Sequence, residues 1–140
     1  MMKTISRMLT IVFLAILFGC KDDSDPSGAS LTGSWRVQSK ETFDCTIISE
    51  NNELTCGTYA FCYTITFNSD QTFELERTSD GSYLGVGDFI YAQNHLTLTF
   101  THNPAGFADT QGAEAVINGS TLTTTEDGSS CTVRMTYEKL

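Results

Sequence analysis

A chain of 140 residues and 15.4 kDa has room for one small domain. Its formal net charge of -9 comes from 17 acidic and 8 basic residues, and this excludes a nucleic-acid-binding surface, because phosphate recognition needs a basic face. A hydrophobic content of 40% excludes a disordered acidic tail, and five cysteines in so short a chain indicate an oxidising compartment.

The first nineteen residues have the pattern of a secretory signal. Residues 1–7 contain two basic side chains and no acid, residues 8–18 form an uncharged apolar run, and the small residue Gly19 follows. The run has eleven residues, which is short for crossing a hydrocarbon core of ~30 Å. We therefore predict an export signal over residues 1–19, with a short membrane anchor as the alternative.

The end of this signal resembles the lipobox of bacterial lipoproteins. Its residues are Leu17-Phe18-Gly19-Cys20, and Phe18 is bulkier than the residue usual at that position. The resemblance implies cleavage before Cys20, whose thiol then carries a diacylglycerol. Several acyl chains hold a soluble domain on a bilayer. After loss of Lys3 and Arg7 the chain keeps 6 basic and 17 acidic residues, so an anionic membrane repels it and the lipid must be the anchor.

The residues after Cys20 predict where the protein is attached. Lys21-Asp22-Asp23-Ser24-Asp25 is similar to the signal that directs lipoproteins to the outer face of the outer membrane in some Gram-negative bacteria. The same stretch also suits an ordinary solvated linker. We expect a lipidated flexible tether over residues 20–30 and attachment to the outer membrane, with exposure at the cell surface and a periplasmic orientation both open.

Alternation of apolar and polar residues dominates the chain after Ser30 and predicts β-strands. Asp-Gly and Asn-Gly pairs between the alternating runs are strong hairpin signals. Eight strands joined mostly by hairpins predict an all-β, up-and-down antiparallel barrel whose last strand pairs with the first. A two-sheet β-sandwich is the alternative. The predicted strands are 34–43, 59–67, 72–78, 82–91, 95–102, 113–118, 121–125 and 130–139, with long loops over 44–58 and 103–112.

Residues 31–140 resemble the lipocalin-like domain of bacterial surface lipoproteins. Leu31-Thr32-Gly33-Ser34-Trp35 matches its Leu-x-Gly-x-Trp pattern. Residues 67–73 are similar to its Phe-x-x-Asp-Gly-Thr-Phe hairpin, with Gln71 in place of the usual glycine. The resemblance implies that Gly33 and Trp35 close one end of the barrel and that Arg134 stacks over Trp35. The alternation of the last strand instead predicts an outward, solvated Arg134.

Four cysteines remain besides Cys20, an even number in an exported chain, and they predict two disulfides. The predicted strand ends bring all four to one rim of the barrel. The sequence leaves the three possible pairings open, although a bridge between Cys62 and Cys131 is the least natural, because strand one lies between them. A four-thiolate zinc site is the alternative, but the spacings lack any Cys-x-x-Cys pair. The residues concerned are Cys45, Cys56, Cys62 and Cys131.

The sequence contains no motif of a known catalytic centre. His95 and His102 bracket one predicted strand and lie ~24 Å apart at ~3.4 Å per residue, too far to share a metal. Glu74 and Glu76 have strand spacing and are expected to be solvated. We therefore predict a protein that is not an enzyme, with no cofactor, no metal and no nucleic-acid partner.

Nine aromatic residues are predicted to point into the barrel. They line a cavity for a small hydrophobic ligand, or they fill the barrel as a dry core. We accordingly predict a binding module for such a ligand or an accessory to a cell-surface complex. The alternative is a solid-core interaction or structural protein, or a hydrolase inhibitor, that uses its rim loops. The nine residues are Phe61, Tyr63, Phe67, Phe73, Tyr83, Phe89, Tyr91, Phe100 and Tyr137.

Overall fold

The computed structural model describes residues 30–57 and 62–140, so the predicted signal, Cys20 and Phe61 lie outside the described residues. A 3-10 turn at Ile48–Glu50 separates the first two strands. No helix in the described ranges is long and apolar enough to cross a bilayer. The strands are β1 (Gly33–Phe43), β2 (Asn52–Thr55), β3 (Tyr63–Phe67), β4 (Thr72–Arg77), β5 (Tyr83–Ala92), β6 (His95–His102), β7 (Thr110–Asn118), β8 (Thr121–Asp127) and β9 (Thr132–Lys139).

Eight of these strands form a closed antiparallel barrel, which confirms the predicted fold class and shows that the sandwich alternative is wrong. Strands β3 to β9 pair in chain order, β1 pairs with β3, and β9 returns to pair with β1. The seam between β1 and β9 runs from Trp35 opposite Lys139 to Phe43 opposite Thr132. We call the end at Gly33 and Lys139 the closed end, and the end at Phe43 and Thr132 the open rim.

Strand β2 lies within residues 44–58, which the sequence predicts to be a loop. It pairs with the open-rim half of β1, while β3 pairs with the closed-end half of β1 on the same side. Cys56 donates its backbone N–H to Gln38 O at 2.7 Å, and Thr64 lies opposite Arg36. Between these two pairings the chain therefore runs from residue 56 to residue 64, whereas the facing stretch of β1 covers only residues 38 to 36. Strands β2 and β3 act as one wall strand with an insertion, and the Cys56–Cys62 disulfide closes that insertion.

The four described cysteines form two disulfides. Cys45–Cys131 joins the segment after β1 to the segment before β9 at the open rim, and Cys56–Cys62 is the second bridge. The predicted single cluster is wrong, because Cys56 lies beside Gln38, roughly 17 Å along β1 from Phe43 at ~3.4 Å per residue. Every one of the four sulfurs has a covalent partner, which leaves no thiolate for the zinc alternative.

The half of the barrel next to the closed end is a packed apolar core. Trp35 and Phe73 have no exposed surface, and Phe67 meets Phe89 edge to face with ring centroids 4.9 Å apart. Aromatic pairs in this geometry stabilise beyond their buried area. The dry-core interpretation therefore holds for the side of this half that Trp35, Phe73 and Phe89 fill.

The closed end is sealed by Trp35, as the resemblance implied, but with a different cation. Trp35 Nε1 donates to Leu31 O at 2.7 Å, and the ammonium of Lys139 lies 5.0 Å from the centroid of the indole ring. Arg134 does not reach this ring, so the predicted stacking is wrong. It lies on the outer face near the open rim, where it binds Glu41 at 2.8 Å. The physical reason is register, because Lys139 is the residue opposite Trp35.

A β-bulge explains why Tyr83 is not inside the barrel. Leu75 lies opposite Gly85 but Glu76 lies opposite Tyr83, so Leu84 has no cross-strand partner. The extra residue reverses the alternation: Leu84 turns inward, and Tyr83 turns outward with 44% of its surface exposed. The prediction that Tyr83 points into the barrel is therefore wrong.

Candidate functional site

A cavity of about 90 Å³ lies inside the barrel, partly open to solvent, and extends from buried residues near the closed end towards the open rim. We call it the rim cavity. It is built on the inner faces of β3 and β6 to β9, and apolar side chains make most of its wall. The lining residues are Tyr63, Ile65, Phe67, Leu96, Leu98, Gln111, Gly112, Ala113, Leu122, Thr124, Glu126, Val133, Met135 and Tyr137.

Strand register determines the depth of each lining residue. Phe67, Leu96 and Leu122 are buried residues close to the closed end of their strands, and they form the deep part of the cavity. Gln111 and Glu126 come from the rim ends of β7 and β8. The rim cavity is therefore apolar at depth and polar towards its mouth, which is the usual arrangement of a site that binds and orients a small molecule.

Two tyrosines form the main polar feature of the wall. The hydroxyls of Tyr63 and Tyr137 share a hydrogen bond of 2.9 Å, and their rings meet edge to face at 6.2 Å. Thr124, a buried polar residue, also hydrogen-bonds Tyr137. Because a hydroxyl oxygen has two lone pairs and one hydrogen, this trio keeps bonding capacity for a further group.

Burial shifts the ionisation of this tyrosine pair. Burial raises the pKa of Tyr63 well above its usual value, and the charge of an ionised Tyr137 and their hydrogen bond raise it further. Burial also raises the pKa of Tyr137, while hydrogen bonds from Tyr63 and Thr124 oppose that shift. Both hydroxyls are therefore neutral across the physiological range and act as hydrogen-bonding groups, not as bases.

These shifts predict a loss of stability in alkaline solution. A phenol whose pKa is raised by folding contributes stability that is complete below the unfolded value of about 10 and is lost as the pH rises through the folded value. We expect the free energy of unfolding to fall above about pH 10, and Tyr63→Phe to flatten that fall while costing about 1 kcal/mol at neutral pH. Denaturant titrations across this pH range measure both. An unchanged alkaline slope in Tyr63→Phe would contradict the assignment.

Besides Tyr83, which the β-bulge turns outward, the predicted cavity aromatics divide into four groups. Tyr63, Phe67 and Tyr137 line the rim cavity, as predicted. Phe73 and Phe89 fill the core instead, and Phe61 lies outside the described residues. Tyr91 and Phe100 pack against that core without lining the cavity. Most of the wall comes from aliphatic, small or polar residues on inward positions of β6 to β9, which the search for aromatics passed over.

Phe100 and the loop after β6 pack against β4 and β5, which do not line the rim cavity. The ring of Phe100 packs against Gly85, where an added Cβ would come within 2.9 Å of it. Phe107 stacks on Phe100 with ring centroids 5.5 Å apart, and its backbone N–H donates to Asn103 Oδ1 at 2.9 Å. Phe107 is therefore tucked against β6 by its own loop.

The polar residues that the sequence singled out lie outside the rim cavity. His95 and His102 are exposed at opposite ends of β6, and His102 stacks on Tyr83 with ring centroids 5.7 Å apart. Glu74 and Glu76 are exposed on the outer face of β4, as expected for solvated residues. Glu50 lies close to the Cys45–Cys131 bridge, but both of those sulfurs are covalently engaged. The geometry brings none of these groups together for catalysis in the described chain.

Comparison with protein-family models and with curated proteins gave no match.

Proposed function

We propose that this protein is an exported, lipid-anchored, lipocalin-like binding module whose rim cavity takes a small hydrophobic ligand. The observation that carries the proposal is an apolar cavity, with a few convergent polar groups, at one end of an otherwise packed barrel. No enzymatic step is part of the proposal. The lipocalin-like assignment is supported by the closed eight-stranded barrel and by Trp35 at its closed end.

The cavity volume limits the size of the ligand. Drug-sized ligands occupy pockets of about 300–1,000 Å³, whereas the rim cavity holds about 90 Å³. A compact group of a few carbon atoms therefore fits inside, and a longer molecule extends through the mouth. This is a smaller ligand than a carrier barrel with an empty interior would accept.

The tether enters at the end opposite to the cavity. Ser30 lies at the closed end, where its carbonyl accepts a hydrogen bond of 3.1 Å from Lys139 Nζ. A chain from Cys20 to Ser30 spans at most about 35 Å at ~3.5 Å per residue. On a membrane held through Cys20, the point of attachment is therefore on the closed end, at the opposite end of the barrel from Gln111 and Glu126. This position leaves the rim cavity free of the tether and supports binding from the medium.

Filling the cavity tests the binding function. We expect n-butanol to bind with a dissociation constant in the millimolar range and to shift the amide resonances of residues that line the cavity. Ala113→Leu places extra carbons in the cavity and is expected to abolish these shifts without unfolding the protein. Ala92→Leu is the matched control, because Ala92 is exposed at the end of β5.

Two outcomes would contradict the proposal. One is the absence of n-butanol-induced shifts at the cavity residues of the unaltered protein, and the other is equal binding by Ala113→Leu. Either result would favour the alternative of an interaction protein that uses its rim. The exposed turn residues Ile47 and Ile48, with 56% and 81% of their surfaces accessible, are the observation in favour of that alternative.

A further inference from the structure

We infer that the ligand of the rim cavity is a small alkylammonium ion, an amphipathic monocation whose alkyl part enters the cavity and whose ammonium group lies at Glu126. This inference depends on the proposed binding function and specifies its ligand class. The first observation is the composition of the wall. Among the residues that line the cavity, Glu126 is the charged one, and it stands on the rim end of β8 at the mouth.

The second observation is that Glu126 lacks a counter-charge. The ion pairs of the described chain join Arg36 to Glu138, Arg77 to Asp80, and Arg134 to Glu41. Arg134 is the nearest arginine along the neighbouring strand, and Glu41 holds it at 2.8 Å on the outer face. Lys40 lies opposite Met135 in the β1–β9 ladder and therefore on the same face of the sheet, but none of these ion pairs joins it to Glu126. Glu126 is thus available to a cation from solution.

The third observation is the chemistry of the other polar lining groups. Gln111, at the rim end of the neighbouring strand β7, has a side-chain oxygen that can accept a hydrogen bond, and none of the residues that line the cavity is cationic. An ammonium group has three donors and no acceptor, so the Glu126 carboxylate and the Gln111 oxygen at the mouth both match it. A carboxylate ligand of equal size would place its charge near Glu126 and find no cation in the wall. The net charge of -9 favours the approach of cations as well.

The size of the effect follows from the exposure of Glu126. An ion pair at a solvent-exposed position stabilises by a modest amount, about 0.2–1 kcal/mol, which corresponds to a preference of up to about fivefold. The preference depends on screening and falls when the Debye length shortens to ~3 Å at about 1 M salt. The apolar part of the binding is insensitive to that change. The charge of Glu126 therefore determines the preference between ligands, and the apolar wall supplies most of the binding free energy.

Three four-carbon probes separate the charge from the alkyl chain: n-butylamine, n-butanol and butyrate. Chemical-shift titrations of the folded protein at neutral pH are expected to show n-butylamine binding about two- to fivefold more tightly than n-butanol, and butyrate binding more weakly than both. Glu126→Gln is expected to bring n-butylamine to the affinity of n-butanol. Glu114→Gln, an exposed outward residue on the adjacent strand β7, removes the same charge outside the cavity and is expected to keep the preference.

The outcomes separate the two proposals. Equal affinity of all three probes, or a preference that survives in Glu126→Gln, overturns the ammonium inference and leaves the binding module in place. A preference lost equally in Glu114→Gln also overturns it, because general attraction to an acidic protein would then account for the effect. Failure of n-butanol itself to reach the cavity overturns the binding function together with the inference.

Discussion

Removing the Cys45–Cys131 disulfide is expected to lower the free energy of unfolding by about 4–5 kcal/mol. The bridge joins residues 86 apart in the sequence, and the chain-entropy account gives a loop of that length a larger effect on the unfolded state than a short loop. Its position strengthens the expectation, because it holds the rim end of the β1–β9 seam, where Thr46 N also donates to Ser130 O at 2.8 Å. Denaturant unfolding of the Cys45→Ala, Cys131→Ala double variant measures the loss.

The second bridge supplies a matched control. Cys56 and Cys62 are 6 residues apart, so the same account predicts a loss of only about 2 kcal/mol for the Cys56→Ala, Cys62→Ala variant. The two variants remove the same number of sulfurs from the same half of the barrel. A larger loss from the short bridge than from the long one would contradict the view that Cys45–Cys131 secures closure of the barrel.

Trp35→Ala is the second change with a large expected effect, about 3–5 kcal/mol of unfolding free energy. The indole is fully buried, donates to Leu31 O at 2.7 Å and lies under the Lys139 ammonium. Truncation therefore leaves a cavity at the closed end and an unpaired Leu31 carbonyl just before β1. Thermal and denaturant unfolding both report the loss.

Lys139→Gln separates the contribution of the cation from that of the indole. It removes the charge over the ring but leaves the indole in the core, and the expected loss is about 1 kcal/mol or less. Arg134→Gln is not expected to change the closed end, since Arg134 contacts Glu41 and Phe43 near the open rim. If Trp35→Ala lost no more stability than Lys139→Gln, the packed closed end described above would be wrong.

The barrel was predictable because its inner and outer faces have different chemistry. In β4, buried Phe73 and Leu75 alternate with exposed Glu74 and Glu76, and the alternation in sequence is the alternation in space. Hairpin signals then left few ways to connect the strands. Closure followed from the need to pair the first and last strands, and the β1–β9 ladder is the observed result.

Other features depend on register, which the residue pattern does not determine. The bulge at Leu84 sends Tyr83 outward, and no residue type in that stretch marks the extra position. Strand β2 contains one aliphatic residue, Leu54, so alternation does not identify it. The resemblance implied Arg134 as the cation at Trp35, whereas the register of β1 and β9 places Lys139 opposite Trp35. The start of β7 at Thr110 was assigned to a loop because its first residues are polar or glycine.

The candidate site was less predictable than the fold. Large aromatics indicate core or cavity walls with equal strength: Tyr63, Phe67 and Tyr137 line the cavity, whereas Phe73 and Phe89 fill the core. A cavity forms where inward positions carry small or polar side chains, as at Ala113 and Thr124. That signal is present in the alternation of β7 and β8, but it becomes visible only when the register aligns those positions with Tyr63 and Tyr137.

Native mass spectrometry of the protein purified from the membranes of its own host tests the central claim most directly. We expect a chain that begins at Cys20, carries acyl groups, lacks four hydrogens because of its two disulfides, and forms a noncovalent complex with n-butylamine added at a concentration of about 1 mM or more. In the Ala113→Leu variant the lipid and both disulfides are retained and the n-butylamine complex is lost. An unacylated chain, or an n-butylamine complex formed equally by Ala113→Leu, would contradict a lipid-anchored barrel that binds through its rim cavity.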